Sequence, residues 1–80
     1  MIKNIMLKKE VSPKVFIVNR ISDIDEIITL INQRVPVIVN FDNIERKYAH
    51  RLIDFISGYC YAKNGNHKKM DKMIYKFKIW

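Results

Sequence analysis

Eighty residues suffice for one small domain, and with 49% apolar and 29% charged residues the composition is globular, which excludes a disordered chain and leaves no room for two cores. A single cysteine, Cys60, excludes an internal disulfide framework and fits a reducing cytoplasm, and no apolar run approaches the roughly 20 residues needed to cross a bilayer. The net charge of +7 points to an anionic partner without choosing among nucleic acid, a lipid surface and an acidic peptide.

Residues 1–13 read as a short basic arm ending at Pro13, with Met1, Ile2, Ile5 and Met6 beside Lys3 and Lys8. That is a membrane-surface pattern, but at one or two helical turns it is too short to bind well alone. Residues 14–80 form the expected core domain. Lys14 to Val18 (KVFIV) is β-branched and aromatic and predicts a buried strand. Ser22 or Asp23 then caps a helix in which Ile24, Ile27, Ile28 and Ile31 recur at i, i+3, i+4, i+7, one apolar face ending near Arg34. Val35 to Asn40 (VPVIVN) predicts a strand covered on both faces, with Pro36 near its start where the missing N–H does least harm. Asp42 or Asn43 opens a longer helix running to about Lys63 and closed by Asn64 and Gly65. Asn66 to Met70, a turn at Asp71 and Lys72, and Met73 to Ile79 predict a β-hairpin. The order β-α-β-α-β-β implies a crossover between parallel first strands, hence an α+β sandwich of the α/β type with two helices on one face of a small mixed sheet. Below roughly 70–80 residues a single core rarely supplies more than about 3–5 kcal/mol, so oligomerisation is an expected part of the fold.

The long helix is the most informative element. At 100° per residue its apolar positions Tyr48, Ala49, Leu52, Ile53, Phe55, Ile56, Tyr59 and Cys60 spread over roughly 160°, wider than the ~100° stripe that covers a sheet. Part of that arc is expected to face a second partner. Beside it run Arg51, Asp54, Gly58 and Tyr61 at spacings of three or four. A mid-helix glycine costs about 1 kcal/mol against alanine, so Gly58 calls for a packing role, close approach of another backbone being the usual one.

Enzymatic chemistry finds little foothold. His50, Asp54 and Ser57 fall at i, i+4, i+7, but a straight polar stripe on one helix offers neither a substrate pocket nor an oxyanion hole. His50, Cys60 and His67 lack paired metal-ligand spacings, and two glycines make no phosphate-binding loop, so no metal and no cofactor is expected. The hairpin interleaves Lys68, Lys69, Lys72, Lys76 and Lys78 with Tyr75, Phe77 and Trp80, a pattern that suggests a single-strand nucleic-acid platform. Strand alternation argues against it, because Met73, Tyr75, Phe77 and Ile79 share one face and are expected in the core, whereas Lys76 and Lys78 share the other. A small basic nucleic-acid-binding protein is the alternative reading.

Arg51-Leu-Ile-Asp-Phe-Ile-Ser-Gly58, followed by Tyr61-Ala62 and Gly65, resembles the R-[IL]-[IV]-D-F-[LI]-[SA]-G-x-x-[YF]-A-x-x-G signature of the bacterial cell-division protein family SepF. Lys14 to Val18, Pro36 to Phe41, Lys69-Met70 and Ile74-Tyr75 resemble its first two strands and its hairpin, so the likeness spans about residues 14–77. In place of the family's amphipathic membrane helix and linker stands the short arm. The resemblance implies a non-enzymatic scaffold, cytoplasmic and at the division site. It would form a homodimer, assemble further and bind the C-terminal tail of the tubulin-like division protein FtsZ. It also implies that Arg51, Asp54, Phe55 and Gly58 lie in the assembly and partner-binding region, joined here by the neighbouring His50 and Tyr61.

Overall fold

In the computed structural model, which describes residues 12–79, two helices lie on one face of a four-stranded mixed sheet. In chain order these are β1 (Lys14–Ile17), a 3-10 turn (Ile21–Asp23) running into α1 (Ile24–Asn32), β2 (Val37–Asn40), α2 (Arg46–Ala62), β3 (Asn66–Asp71) and β4 (Ile74–Lys78). The expected β-α-β-α-β-β order is the observed one. The sheet order is β1-β2-β4-β3, with β1 parallel to β2 and the other pairs antiparallel. Most of the N-terminal arm, residues 1–11, lies outside the described residues, as does Trp80.

Register decides which side chains make the core. Val37 pairs with Phe77 and Val39 with Tyr75 across β2 and β4, and Phe16 pairs with Val39 across β1 and β2. Because side chains alternate along a strand, these residues share the face that the helices cover. Val37, Val39, Phe41 and Phe77 are fully buried there, against Ile27 and Ile31 of α1 and Ala49, Ile56 and Cys60 of α2. Phe41, directly after β2, donates its N–H to the carbonyl of Met73 (2.9 Å) and meets Tyr75 and Phe77 edge-on, with centroids 6.2 and 6.4 Å away. As the alternation in the hairpin requires, Phe77 and Met73 are core residues. Among the described residues nothing covers the other face of the sheet, and Val15 and Ile17 of edge strand β1 are 67% and 50% exposed.

Several boundaries differ from the sequence-based expectation for local reasons. Asp23 stands at the N-cap of α1 but makes no capping bond; its carboxylate turns back to accept the N–H groups of Asn19 (2.9 Å) and Arg20 (3.2 Å), tightening the 3-10 entry. α2 begins at Arg46, later than Asp42 or Asn43. Asn40 Oδ1 accepts the Asp42 N–H (2.8 Å) in a local turn, and Asn43 Nδ2 donates to Asn19 Oδ1 (3.0 Å), so these polar side chains hold the loop instead of opening the helix. Glu45, in extended conformation, takes the N-cap position. The strand expected from Val35 begins at Val37, after Pro36, and the hairpin turn moves by one residue to Lys72 and Met73, with a bulge between Lys69 and Asp71.

The exit of α2 is tied to β4. Asn64 adopts the left-handed conformation (φ 64°), and the Gly65 N–H reaches back to the Cys60 carbonyl (2.7 Å). Gly65 is needed for another reason: a Cβ there would stand 2.1 Å from the Lys78 carbonyl oxygen and 2.3 Å from Ile79 Cα. Cys60 is sealed beneath this junction. Burial pushes its thiol up from 9.0 to about 11, opposed by a backbone hydrogen bond with Lys78. Iodoacetamide at neutral pH is therefore expected to leave Cys60 unmodified in the folded protein and to label it quickly in urea. Equal labelling rates in the two states would contradict the burial. Because the folded pKa is raised, the neutral thiol contributes stability below pH 9, and that contribution fades as pH rises toward 11.

Candidate partner-binding site

α2 spans the sheet and presents one row to it, Ala49, Leu52, Ile53, Ile56 and Cys60, all buried. Three apolar members of its wide arc fall outside that row. Tyr48 and Tyr59 are half-buried, and Phe55 is 58% exposed. Phe55 overlooks an open groove of about 670 Å³ between the two helices, lined by Arg51, Leu52, Phe55 and Tyr59 of α2 and by Ile24, Asp25, Ile28 and Thr29 of α1. Its walls are mostly apolar, with one cation from α2 and one carboxylate from α1.

Local bonds hold this groove in shape. The Tyr59 hydroxyl donates to Asn32 Oδ1, bracing α2 against the last residue of α1, and Lys63 Nζ stands 5.5 Å from the Tyr59 ring centre. The Thr29 hydroxyl donates to the Asp25 carbonyl (2.9 Å), so it is occupied within its own helix. Ile24 and Ile28 are half-buried, with one side against the core and the other toward the groove.

Of the six residues singled out in the sequence, all are exposed, and the structure brings only Arg51 and Phe55 to the groove. His50, Asp54, Gly58 and Tyr61 occupy the outer surface of α2, with Tyr61 82% exposed. Among the described residues, and apart from its own helix backbone, nothing lies within 4 Å of a Cβ built on Gly58. Its cost of about 1 kcal/mol is therefore not offset by any contact among the described residues. The α1 half of the groove was not found from sequence. Ile24 and Ile28 carry the same spacing as the core residues Ile27 and Ile31, and spacing alone does not separate an edge from a centre.

The arrangement does not assemble chemistry around His50. Both His50 and Asp54 are exposed, whereas Ser57 Oγ is buried without a hydrogen-bond partner, so no base reaches that hydroxyl. Among the described residues no group of three or more His, Cys, Asp or Glu side chains is placed to hold a metal ion, and no helix is long and apolar enough to cross a membrane. What the groove offers is a mostly apolar trough with Arg51 and Asp25 among its lining.

Comparison with known proteins agrees with the signature on α2. The family described as "Cell division protein SepF" matches residues 10–77. A protein of that name from Desulfitobacterium hafniense is 36% identical over 74 residues, which cover 92% of this chain and 49% of the relative. One from Brevibacillus brevis is 41% identical over 54 residues (68% of this chain, 38% of the relative). One from Clostridium beijerinckii is 44% identical over 50 residues (62% and 33%). The chain thus spans about half the length of these relatives, or less.

Proposed function

The chain belongs to the SepF family of cell division proteins, and on that premise we propose that it is a non-enzymatic scaffold that forms a homodimer and binds the C-terminal tail of FtsZ at the division site. The observation that carries the tail-binding reading is the groove between α1 and α2 with Phe55 standing exposed at its edge. A large aromatic held in water beside an apolar trough gains by being covered, and aromatic and arginine side chains are the usual anchors of such contacts. Titration calorimetry of the full chain with the FtsZ C-terminal peptide tests it. Heat release with saturation is expected, and no binding at about 50 μM, weaker than roughly 6 kcal/mol of affinity, would overturn it.

Self-assembly is assigned to the outer surface of α2, where Gly58 leaves a bare strip between Arg51, Asp54 and Tyr61. A helix glycine with no neighbour among the described residues has room there for the backbone of another copy. Gly58→Lys should therefore reduce the assembled mass in sedimentation velocity while leaving the thermal midpoint unchanged or slightly raised, since lysine is the better helix former. A variant that assembles like the parent would remove Gly58 from the interface. The nucleic-acid alternative loses its platform, because Tyr75 and Phe77 face the helices.

A further inference from the structure

The two edges of the sheet are finished differently. The outer edge of β3 carries Lys68 and Lys69 and a bulge between Lys69 and Asp71, devices that discourage another strand from pairing there. The β1 edge has neither: its register with β2 is unbroken, and after Lys14 it continues as Val15, Phe16 and Ile17. Lys14 and Val18 donate their N–H groups to the carbonyls of Pro36 and Asn40 (2.9 and 3.0 Å), so by alternation the backbone groups of Val15 and Ile17 point away from the sheet. Among the described residues they meet only the Asn19 side-chain amide, 3.5 Å from the Ile17 carbonyl and at the limit of hydrogen-bond distance. This open stretch has fixed ends. Pro13 has no N–H to offer, and the Asn19 N–H is taken by the Asp23 carboxylate (2.9 Å).

We propose that this edge pairs with the same edge of a second copy, antiparallel and centred on Phe16. Only that register uses every outward group: Val15 exchanges N–H and C=O bonds with Ile17 of the second copy, and Ile17 does so with its Val15, about a two-fold axis. The side chains follow. Val15 and Ile17, both exposed, meet their counterparts on the face away from the helices, and the half-buried Phe16 meets Phe16 of the second copy on the helix side. Charge also favours β1 as the joint. The order β1-β2-β4-β3 puts the lysine-bearing strands at the far ends of an eight-stranded sheet. There β4 of one copy stands five strand spacings, about 24 Å, from β4 of the other, well beyond the Debye length of about 10 Å. Pairing through β3 would instead set Lys68 and Lys69 against their images. The inference rests on the homodimer in the reading above and gives it an interface separate from Gly58 and from the groove. A few backbone bonds and a narrow strip of side chains make a weak joint, so it forms at high protein concentration.

Position-specific cross-linking of the full chain tests this. Val15→Cys with Ile17→Cys, concentrated and treated with oxidised glutathione, should give a disulfide-linked dimer. Mass spectrometry should find position 15 of one copy joined to position 17 of the other, because directly opposed residues there have Cα atoms about 5.5 Å apart. Ile38→Cys, about 14 Å from its image across three strand spacings, should stay monomeric. Copies stacked by their bare faces would give the reverse pattern. Ile17→Pro removes only an outward N–H and leaves the β1–β2 ladder whole, so it should weaken self-association in sedimentation velocity by about tenfold. Val15→Lys with Ile17→Lys, at exposed positions, should weaken it at least as much by opposing like charges. Both are compared in a Gly58→Lys background, and far-UV circular dichroism confirms that each is folded. If Gly58→Lys alone assembles like the parent, the α2 reading fails while the disulfide still reports on β1. The pairing is overturned if the double cysteine variant stays monomeric, as it would with the edge occupied by another segment of its own chain or by a foreign peptide. It is likewise overturned if position 15 joins only position 15, or if Ile17→Pro and the lysine pair leave self-association intact. Tail-peptide titration should be unaffected by Ile17→Pro, which keeps that reading separate.

Discussion

Alanine in place of Gly65 is expected to destabilise the domain by about 3 kcal/mol, enough to unfold most of a small single core. The added methyl would lie 2.1 Å from the Lys78 carbonyl oxygen and 2.3 Å from Ile79 Cα, and both are backbone atoms that no rotamer change moves aside. Relief requires either the end of α2 or the end of β4 to shift, and the Gly65 N–H bond to the Cys60 carbonyl (2.7 Å) resists the first. Gly58→Ala is the internal contrast. With open space around it, alanine there should stabilise the helix by about 0.5–1 kcal/mol. Urea unfolding of the two variants beside the parent reads both signs at once. If Gly65→Ala unfolds at the parental urea concentration, the close approach of β4 to this residue is not a constraint on the fold.

Truncating Phe55 to alanine should weaken FtsZ tail binding by roughly 30-fold, the loss of about 2 kcal/mol expected for an aromatic anchor. Stability should change by no more than about 0.5 kcal/mol, because the ring is 58% exposed and belongs to the groove and not to the core. Arg51→Ala should weaken the same titration by several-fold and steepen no salt dependence, whereas the parent, with the cation present, should bind less well as salt rises. Ile56→Ala makes the opposite contrast. That side chain is fully buried, and its loss should lower stability by about 2–4 kcal/mol. Unaltered peptide affinity in Phe55→Ala would move the tail to another surface and leave the family assignment untouched.

How much of this was legible in the sequence follows from how local each cause is. The isoleucines of α1 declare themselves through period and the β-branched run of β2 through composition; α1 stands where its period places it, whereas β2 begins at Val37 and alternates buried with half-buried residues instead of being covered on both faces. The start of α2 did not, because Asn40, Asp42 and Asn43 are equally good helix caps and loop formers. What decides between those roles is the Asn43 bond to Asn19, 24 residues away. Phe55 was visible only as one of eight residues in an apolar arc wider than a sheet needs. Its opposite wall, Ile24 and Ile28, was not, since its exposure depends on where α2 lies. Gly65 reads in the sequence as a helix exit; the return of β4 past it gives the stronger reason, and no neighbour in the chain announces it.

The last strand in chain order, β4, lies inside the sheet between β2 and β3. During synthesis on the ribosome, β1, β2 and both helices emerge before the strand that joins β2 to the hairpin. Until β4 arrives, Val37 and Val39 have an unpaired edge beside them, and Phe41 lacks both its backbone acceptor on Met73 and its aromatic neighbours. The nascent chain therefore passes through a stage with an open strand edge and an uncovered apolar surface, features on which chaperones and other nascent copies act. β2 gains its second neighbour only once residues 74–78 have been made.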